Sequence, residues 1–248
     1  MRSQENKNYW NQWNVDYSKV WLTLGRQEMS KRELEFIHKC LSEYSPRRIL
    51  DIGVGNGRIL EILIKNCSEQ AEIFGIDISE KMVDICRAKF KSEAKLNQIR
   101  VCDLSQDDVC YKEKFNFVTM IRVLKYNKNW MEIVGKVCDK LNPGGVYIFT
   151  MPNKISISVF SGDTFSEQKI PIVYTSQSEI KKVLDSAGVK LVEFRAFSKM
   201  PNFFYHICEN KLYVRSLLFI ERMLEKILGK SFLGRELFVL CMKSTAGK

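Results

Sequence analysis

The sequence lacks the features that mark membrane, secreted and zinc-binding proteins. No segment has the roughly 20 consecutive apolar residues that a helix needs to cross a bilayer. The first residues are polar and lack the apolar region of a secretory signal. The eight cysteines are scattered without a C-x-x-C pair, which favours reduced core thiols over disulfides or a zinc site. We therefore expect a cytoplasmic protein that binds no metal.

The chain has fewer acidic than basic residues, and its net charge of +10 makes a nucleic acid one candidate partner. The basic residues are spread along the chain, however, and their clusters are interleaved with glutamate. A solvated face, or attraction toward an anionic substrate or surface, is the alternative explanation. We regard a nucleic acid as the less favoured partner.

One stretch, residues 49–58, combines a short apolar run with an acid and three glycines at alternate positions. The run ends in Asp51, and Gly53, Gly55 and Gly57 precede a helical pattern. This order predicts a buried parallel strand that turns sharply into a helix. Glycine permits positive φ and lets the backbone approach a ligand, and Asp51 would point into the crevice at the carboxyl end of the sheet. We therefore expect a small molecule to bind here.

The spacing of the glycines argues against two common nucleotide sites. A nicotinamide fingerprint requires G-x-G-x-x-G, but here the third glycine comes one position early and Arg58 stands where the fingerprint has glycine. A phosphate-binding P-loop is excluded because no Gly-Lys-Ser/Thr follows. The loop therefore indicates a different ligand.

Strand and helix patterns alternate along most of the chain, which is typical of a parallel sheet with right-handed crossovers. We predict strands at residues 49–51, 73–78, 99–102, 115–121, 146–151, 189–197 and 235–243. Asp77 and Asp103 follow Asp51 as acids at successive strand ends, and turn capping explains each of them singly but not their repetition. Asp77 also lies at about the distance from the glycines that a ribose-binding carboxylate needs.

Three segments lie outside this alternation. Residues 9–17 are unusually aromatic and predict either a helix packed on the domain or a lid over the glycine loop. Residues 153–173 predict a long polar loop. Residues 198–234 form an insertion whose helix, at residues 211–230, carries a stripe of large apolar side chains. We expect this stripe to pack on the domain as part of a cap; a helix on a membrane surface is the alternative.

Four motifs together resemble those of class I S-adenosylmethionine-dependent methyltransferases, of the group that modifies small molecules. They are Asp51-Ile-Gly-Val-Gly-Asn-Gly57, Gly75-Ile-Asp-Ile-Ser79, Ile121-Arg-Val-Leu-Lys-Tyr126 and Leu141-Asn-Pro-Gly-Gly145, and a fifth, Asp103-Leu104, lies between the second and third of them. The resemblance implies an α/β fold with a Rossmann-like, mostly parallel sheet of seven strands in the order 3-2-1-4-5-7-6, flanked by helices, with strand seven antiparallel. We expect a single domain over residues 1–248, with an N-terminal helical lid at 1–45 and a cap insertion at 198–234.

The resemblance also assigns S-adenosylmethionine as the cofactor and gives roles to residues at successive strand ends. The glycines would lie against its methionine part, Asp77 would bind the ribose hydroxyls, and Asp103 would meet the adenine amino group. An N-terminal tyrosine would close over the cofactor. The implied cofactor-binding residues are Tyr17, Asp51, Gly53, Gly55, Gly57, Asp77, Ile78, Asp103, Leu104 and Ile121.

The implied reaction is direct in-line transfer of a methyl group to an oxygen or nitrogen atom of a small-molecule acceptor. A sulfonium methyl is already activated, so the protein mainly aligns the acceptor and excludes water. An alcohol acceptor would need a general base nearby. The chain has only two histidines, and His206 and Tyr126 are the candidate bases. Packing among aromatic residues is the alternative role for His206.

Two other functions stay open at this point. The charge encourages RNA-directed methylation, but the segment after strand four lacks the Asn/Asp-Pro-Pro-aromatic motif of base-directed amino methyltransferases. A non-catalytic protein that binds S-adenosylmethionine, or one that uses the sulfonium for other chemistry, is compatible with the same fold. The sequence does not identify the acceptor or the oligomeric state, and peripheral contact with a membrane is left open.

Overall fold

The computed structural model describes residues 2–12, 23–160, 171–201, 203–206 and 210–245. Within these ranges, no helix is long and apolar enough to span a membrane. The helices are α1 Arg2–Gln12, α2 Leu24–Tyr44, α3 Arg58–Asn66, α4 Glu80–Lys89, α5 Trp130–Asp139, α6 Ile157–Phe160, α7 Gln177–Ser186, α8 Phe203–His206 and α9 Lys211–Leu228, with a 3₁₀ helix at Leu124–Tyr126. The strands are β1 Arg48–Ile52, β2 Glu72–Asp77, β3 Leu96–Val101, β4 Phe115–Met120, β5 Leu141–Pro152, β6 Val189–Phe197 and β7 Glu236–Lys243.

The seven strands form one sheet in the order β3-β2-β1-β4-β5-β7-β6, which confirms the predicted topology. The pairs β1–β2, β1–β4, β2–β3 and β4–β5 are parallel. β7 runs antiparallel to both of its neighbours, β5 and β6. The carboxyl ends of β1, β2, β3 and β4 therefore meet at one edge of the sheet, where the glycine loop follows β1.

Both faces of the central sheet are buried, which explains why the strands are apolar nearly throughout. Successive residues of a strand point to opposite faces. Ile49 packs in one core with Phe36 of α2 and Leu60 of α3. Leu50, the next residue, packs in the other core with Trp130 of α5. The helices thus cover the sheet from two sides and hold its carboxyl edge in place.

Several boundaries differ from those that the sequence pattern predicted. β5 begins at Leu141 rather than at residue 146, because Leu141 pairs with Phe115 across a shift in register. A Cβ at Gly145 would lie 2.9 Å from the Phe115 carbonyl oxygen, so the strands approach closely there. The segment expected to be a polar loop contains α6, and residues 161–170 lie outside the described part.

The expectation that the apolar stripe of α9 packs on the domain is wrong for most of its members. Leu217 is buried, but Phe219 and Ile227 are 64% and 73% exposed. The inward face instead contains Glu221, which pairs with Arg32 of α2. An ion pair therefore lies in the contact beside the buried Val214 and Leu217, where periodicity alone predicted an apolar seam, and other large apolar side chains are left on the outside.

Candidate active site

The three glycines of the loop after β1 have positive φ but different surroundings. Gly53, Gly55 and Gly57 have φ of 77°, 53° and 84°. An added Cβ at Gly53 would lie 2.2 Å from Val123, and one at Gly57 would lie 2.4 Å from Phe90. At Gly55 the nearest atom among the described residues is the Gly53 carbonyl oxygen, at 4.0 Å. Two glycines therefore permit close packing, whereas Gly55 faces open space from which a ligand can reach the backbone.

Asp51 places a buried carboxylate beneath this loop. The side chain is 1% exposed, and its Oδ1 accepts a hydrogen bond of 2.7 Å from the Thr119 hydroxyl. Its Oδ2 has no donor among the described residues. The pKa of Asp51 is raised to about 7, mainly because the carboxylate is buried. The negative charge of the neighbouring Asp77 contributes to the rise, and the hydrogen bond from Thr119 opposes it. A buried acceptor without a donor is unfavourable and suits a cationic ligand group.

Asp77 connects the glycine loop to the start of α4. Its Oδ2 accepts a hydrogen bond of 2.9 Å from the Gly55 N–H, and its Oδ1 accepts one of 2.9 Å from the Ser79 N–H. Burial raises the pKa of Asp77, while these N–H groups and that of Ile78 oppose the rise. Ser79 in turn caps α4 by accepting from the Met82 N–H. Asp77, the predicted ribose-binding residue, is therefore in direct contact with the glycine loop that follows β1.

Asp103 and Leu104 follow β3 at the same edge of the sheet. The Oδ1 atom of Asp103 accepts hydrogen bonds from the Ser105 N–H at 3.0 Å and from the Ser105 hydroxyl at 2.7 Å. Leu104 is buried. Asp103 therefore stabilises its own turn, as turn capping predicts, and it lies two residues beyond the end of β3, the strand next to the one that ends in Asp77.

The segment after β4 contains a buried network that the sequence reasoning missed. Arg122, at φ 64°, donates to Glu236 at 2.9 Å and also pairs with Glu33 of α2. Glu33 accepts a second bond, of 3.3 Å, from Arg58 in the first turn of α3. Because these partners lie 89 and 114 positions from Arg122, no local motif reveals them. Arg58, which argued against a dinucleotide fingerprint, thus connects α2 to the site through Glu33.

Lys125 and Tyr126 lie beside this network in the 3₁₀ helix. Burial lowers the pKa of the fully buried Lys125 to about 8, against the opposing charge of Glu236. Burial alone would raise the pKa of Glu236, but Arg122 and Lys125 lower it to about 2. The Lys125 Nζ lies 5.0 Å from the centre of the Tyr126 ring. Tyr126 and the neighbouring Ile121 are both buried.

Helix α1 crosses this edge of the sheet. At one side, Asn11 accepts a hydrogen bond of 2.6 Å from the Ser79 hydroxyl. At the other, the Asn6 amide donates to the Tyr126 carbonyl oxygen at 3.3 Å, and the Trp10 ring meets the Tyr126 ring edge-to-face at 5.3 Å. α1 therefore bridges the helix that follows β2 and the segment that follows β4.

For two predicted site residues, the position of the side chain lies outside what the structure describes. Tyr17 lies outside the described residues. His206 is the last residue of α8, a short helix that packs on α2, where the Thr23 hydroxyl donates to the Tyr205 carbonyl oxygen at 3.3 Å. The cofactor role of Tyr17 and the base role of His206 therefore stay predictions.

Comparison with known proteins places the chain among methyltransferases. A family model described as a methyltransferase domain matches residues 26–193, more than half of the chain. Over 130 residues the chain is 28% identical to the ubiquinone biosynthesis O-methyltransferase of Alkalilimnicola ehrlichii, covering 51% of this chain and 50% of that protein. The chain thus spans about half the length of the curated relatives it matches.

Solved structures of low sequence identity share the fold over nearly the whole chain. The magnesium protoporphyrin IX methyltransferase of Synechocystis with bound SAH has a TM-score of 0.68 at 14% identity, covering 97% of this chain and 99% of that one. The cyclase SpnF has a TM-score of 0.70 at 15% identity, covering 98% and 97%. Because the family match includes the glycine loop and the strand ends around it, the chain belongs to the methyltransferase domain family, the class I S-adenosylmethionine-dependent methyltransferases that its motifs resemble.

Proposed function

We propose that this protein binds S-adenosylmethionine and transfers its methyl group to an oxygen or nitrogen atom of a small molecule. The observation that carries the proposal is the junction of Asp51, Gly55 and Asp77. It combines a buried carboxylate oxygen that has no donor among the described residues, a glycine whose Cα faces space that those residues leave open, and an acid hydrogen-bonded to that same glycine. An oxygen acceptor is favoured because the relative from Alkalilimnicola ehrlichii is named an O-methyltransferase.

The residues at the sheet edge fit the parts of this cofactor. Asp51 offers an anionic oxygen for the ammonium group of the methionine part, and Gly55 lets that part lie against the backbone. Asp77 keeps unused lone pairs after accepting one N–H bond at each oxygen, so it can still accept bonds from two ribose hydroxyls. We propose that the adenine and the methyl-bearing sulfonium of the cofactor are surrounded by Asp103, Leu104, Ile78 and Ile121.

The chain's own contribution is positioning and exclusion of water. When bound, the cofactor supplies an electrophilic methyl group on a sulfonium. α1 would act as the lid, because its contacts with Ser79 and Tyr126 cross the edge where the cofactor binds. Tyr126, in the segment after β4, is the proposed base for an alcohol or phenol acceptor, and the Lys125 Nζ lies 5.0 Å from the centre of its ring. We expect the enzyme to act in the cytoplasm.

Titration with S-adenosylmethionine tests the cofactor assignment. Asp77→Ala should weaken binding about 100-fold, since two hydrogen bonds to a charged group are lost. Asp84→Ala is the matched control, because Asp84 is an acid of α4 whose side chain is 74% exposed. It should bind like the unaltered protein. Full-strength binding by Asp77→Ala would contradict the ribose assignment.

The acceptor is addressed by supplying isotopically labelled cofactor with a metabolite extract and reading the products by mass spectrometry. A labelled small molecule with a new methyl on oxygen or nitrogen supports the proposal. Cofactor binding without any labelled product would favour a non-transfer role, such as the cyclase that shares this fold. Label in nucleic acid, with retention that falls as salt rises, would favour the RNA-directed alternative.

A further inference from the structure

Helix α9 carries a second apolar stripe that faces away from the domain. Residues seven and four positions apart share one face of a helix. Its members, with the exposed fraction of each, are Leu212 at 72%, Phe219 at 64%, Met223 at 40% and Ile227 at 73%. Ile220 borders the stripe and is 45% exposed. Single exposed apolar residues are normal on a protein surface, but these residues form a continuous apolar patch along one helix, which indicates an interaction site.

The charges of α9 are divided between its two faces. Both of its acids point inward: Glu221 pairs with Arg32 and accepts a bond of 2.7 Å from the Lys199 N–H, and Glu225 pairs with Arg32 at 2.6 Å. The charged residues on its exposed surface are all basic: Lys211, Arg215, Arg222 and Lys226. The outward surface of α9 is therefore an apolar stripe with a cationic flank and no acid.

We propose that α9 lies on the surface of an anionic lipid bilayer. The stripe would enter the boundary between headgroups and acyl chains, and the flanking arginines and lysines would meet lipid phosphates. The net charge of +10 adds long-range attraction to such a surface. A second copy of the chain is a poorer occupant, because an isologous contact would bring one acid-free basic surface against another.

The fixed position of α9 strengthens this assignment. The side chain of Arg32, which binds both acids of α9, is only 12% exposed, and Arg32 belongs to α2, whose apolar residues form part of one core. The Tyr205 hydroxyl and the backbone of Lys199 converge on Glu221 from the segment before α9. The contacts of its acids therefore fix the orientation of α9 with the stripe facing outward. This preorganisation lowers the entropic cost of binding to a surface.

Co-sedimentation with lipid vesicles tests the proposal without cofactor or acceptor, so its outcome is independent of methyl transfer. The protein should bind vesicles of phosphatidylcholine mixed with phosphatidylglycerol, bind phosphatidylcholine alone weakly, and dissociate as salt rises. The double variant Phe219→Ser with Ile227→Ser should lose binding about tenfold or more, since two large side chains no longer leave water. Arg222→Ser with Lys226→Ser should weaken the preference for anionic vesicles, because half of the four cations on the exposed surface of α9 are removed.

Met131→Ser is the matched control, because Met131 is a 48% exposed apolar residue of α5, on another helix. It should bind vesicles like the unaltered protein. Circular dichroism should show all variants folded, since the substituted side chains are exposed. Equal binding by the stripe variant, or absence of binding to anionic vesicles, would overturn the proposal. So would a stable dimer that the stripe variant converts to a monomer, which would assign this face to a second copy.

Discussion

Replacing Asp51 by asparagine isolates the cost of keeping a carboxylate buried beneath the glycine loop. The folded protein holds the Asp51 proton up to a pKa of about 7, whereas the ordinary value is 3.8. Between these values the folded state binds more protons than the unfolded state, so this residue's contribution to stability is fully present below the lower pKa and is lost as pH rises. At 1.36 kcal/mol per pKa unit, the penalty is about 2 kcal/mol at pH 5 and about 4 kcal/mol at pH 8.

Asparagine removes this titration and keeps the neighbouring contact. Its Oδ1 can accept the same hydrogen bond from Thr119 that Asp51 accepts at 2.7 Å. Any cost of burying the amide is independent of pH. The stability of Asp51→Asn relative to the unaltered protein should therefore rise by about 2–3 kcal/mol between pH 5 and pH 8.

Urea unfolding at both pH values, followed by circular dichroism, measures this difference. Asp84→Asn, on the exposed face of α4, is the control and should leave the pH dependence unchanged. S-adenosylmethionine should bind Asp51→Asn more weakly, because the anionic partner of its ammonium group is gone. The same pH dependence with and without the Asp51 carboxylate would refute the reasoning.

Two further substitutions test how the site is held. Gly53→Ala should destabilise the fold by about 2 kcal/mol or more, because its Cβ would lie 2.2 Å from Val123 at a φ of 77°. Gly135→Ala, in α5 where no described atom lies within 4 Å of an added Cβ, should instead stabilise by about 0.5–1 kcal/mol, and thermal unfolding compares the two. Arg122→Met should cost about 3–5 kcal/mol in urea unfolding, because Glu33 and Glu236 lose a shared partner while buried. Restoration of part of this stability by the added change Glu33→Gln would trace the loss to the stranded charge, and no restoration would contradict that cause.

Local sequence signals were sufficient for most of the sheet. Strand β6 has the predicted bounds, and Ser176 starts α7 with a reciprocal bond to Glu179 that its spacing favours. These features depend on residues within one turn or one strand, which periodicity reads directly. Gly55, after β1, and Asp77, at the end of β2, likewise meet because the carboxyl ends of adjacent parallel strands lie at the same edge of the sheet.

The features that the sequence missed depend on which distant residues meet. Periodicity correctly gave α9 an apolar stripe, but it could not tell that Arg32 would draw the acids inward and leave Phe219 in solvent. Comparison with the dinucleotide motif likewise treated Arg58 only as a mismatch, although the ion pair of Arg58 with Glu33 makes it part of the site. Pairings of this kind are set by packing in three dimensions.

The adjacency of Arg32 and Glu33 on α2 has a thermodynamic consequence. Arg32 binds the acids of the outer helix α9, and Glu33 binds Arg58 and Arg122 beside the cofactor loop. Because these two residues are consecutive in one helix, we expect an event that restrains α9 to restrain the loop as well. Linkage then requires reciprocity: if occupation of the outer face tightens cofactor binding by some factor, the cofactor must tighten occupation of that face by the same factor.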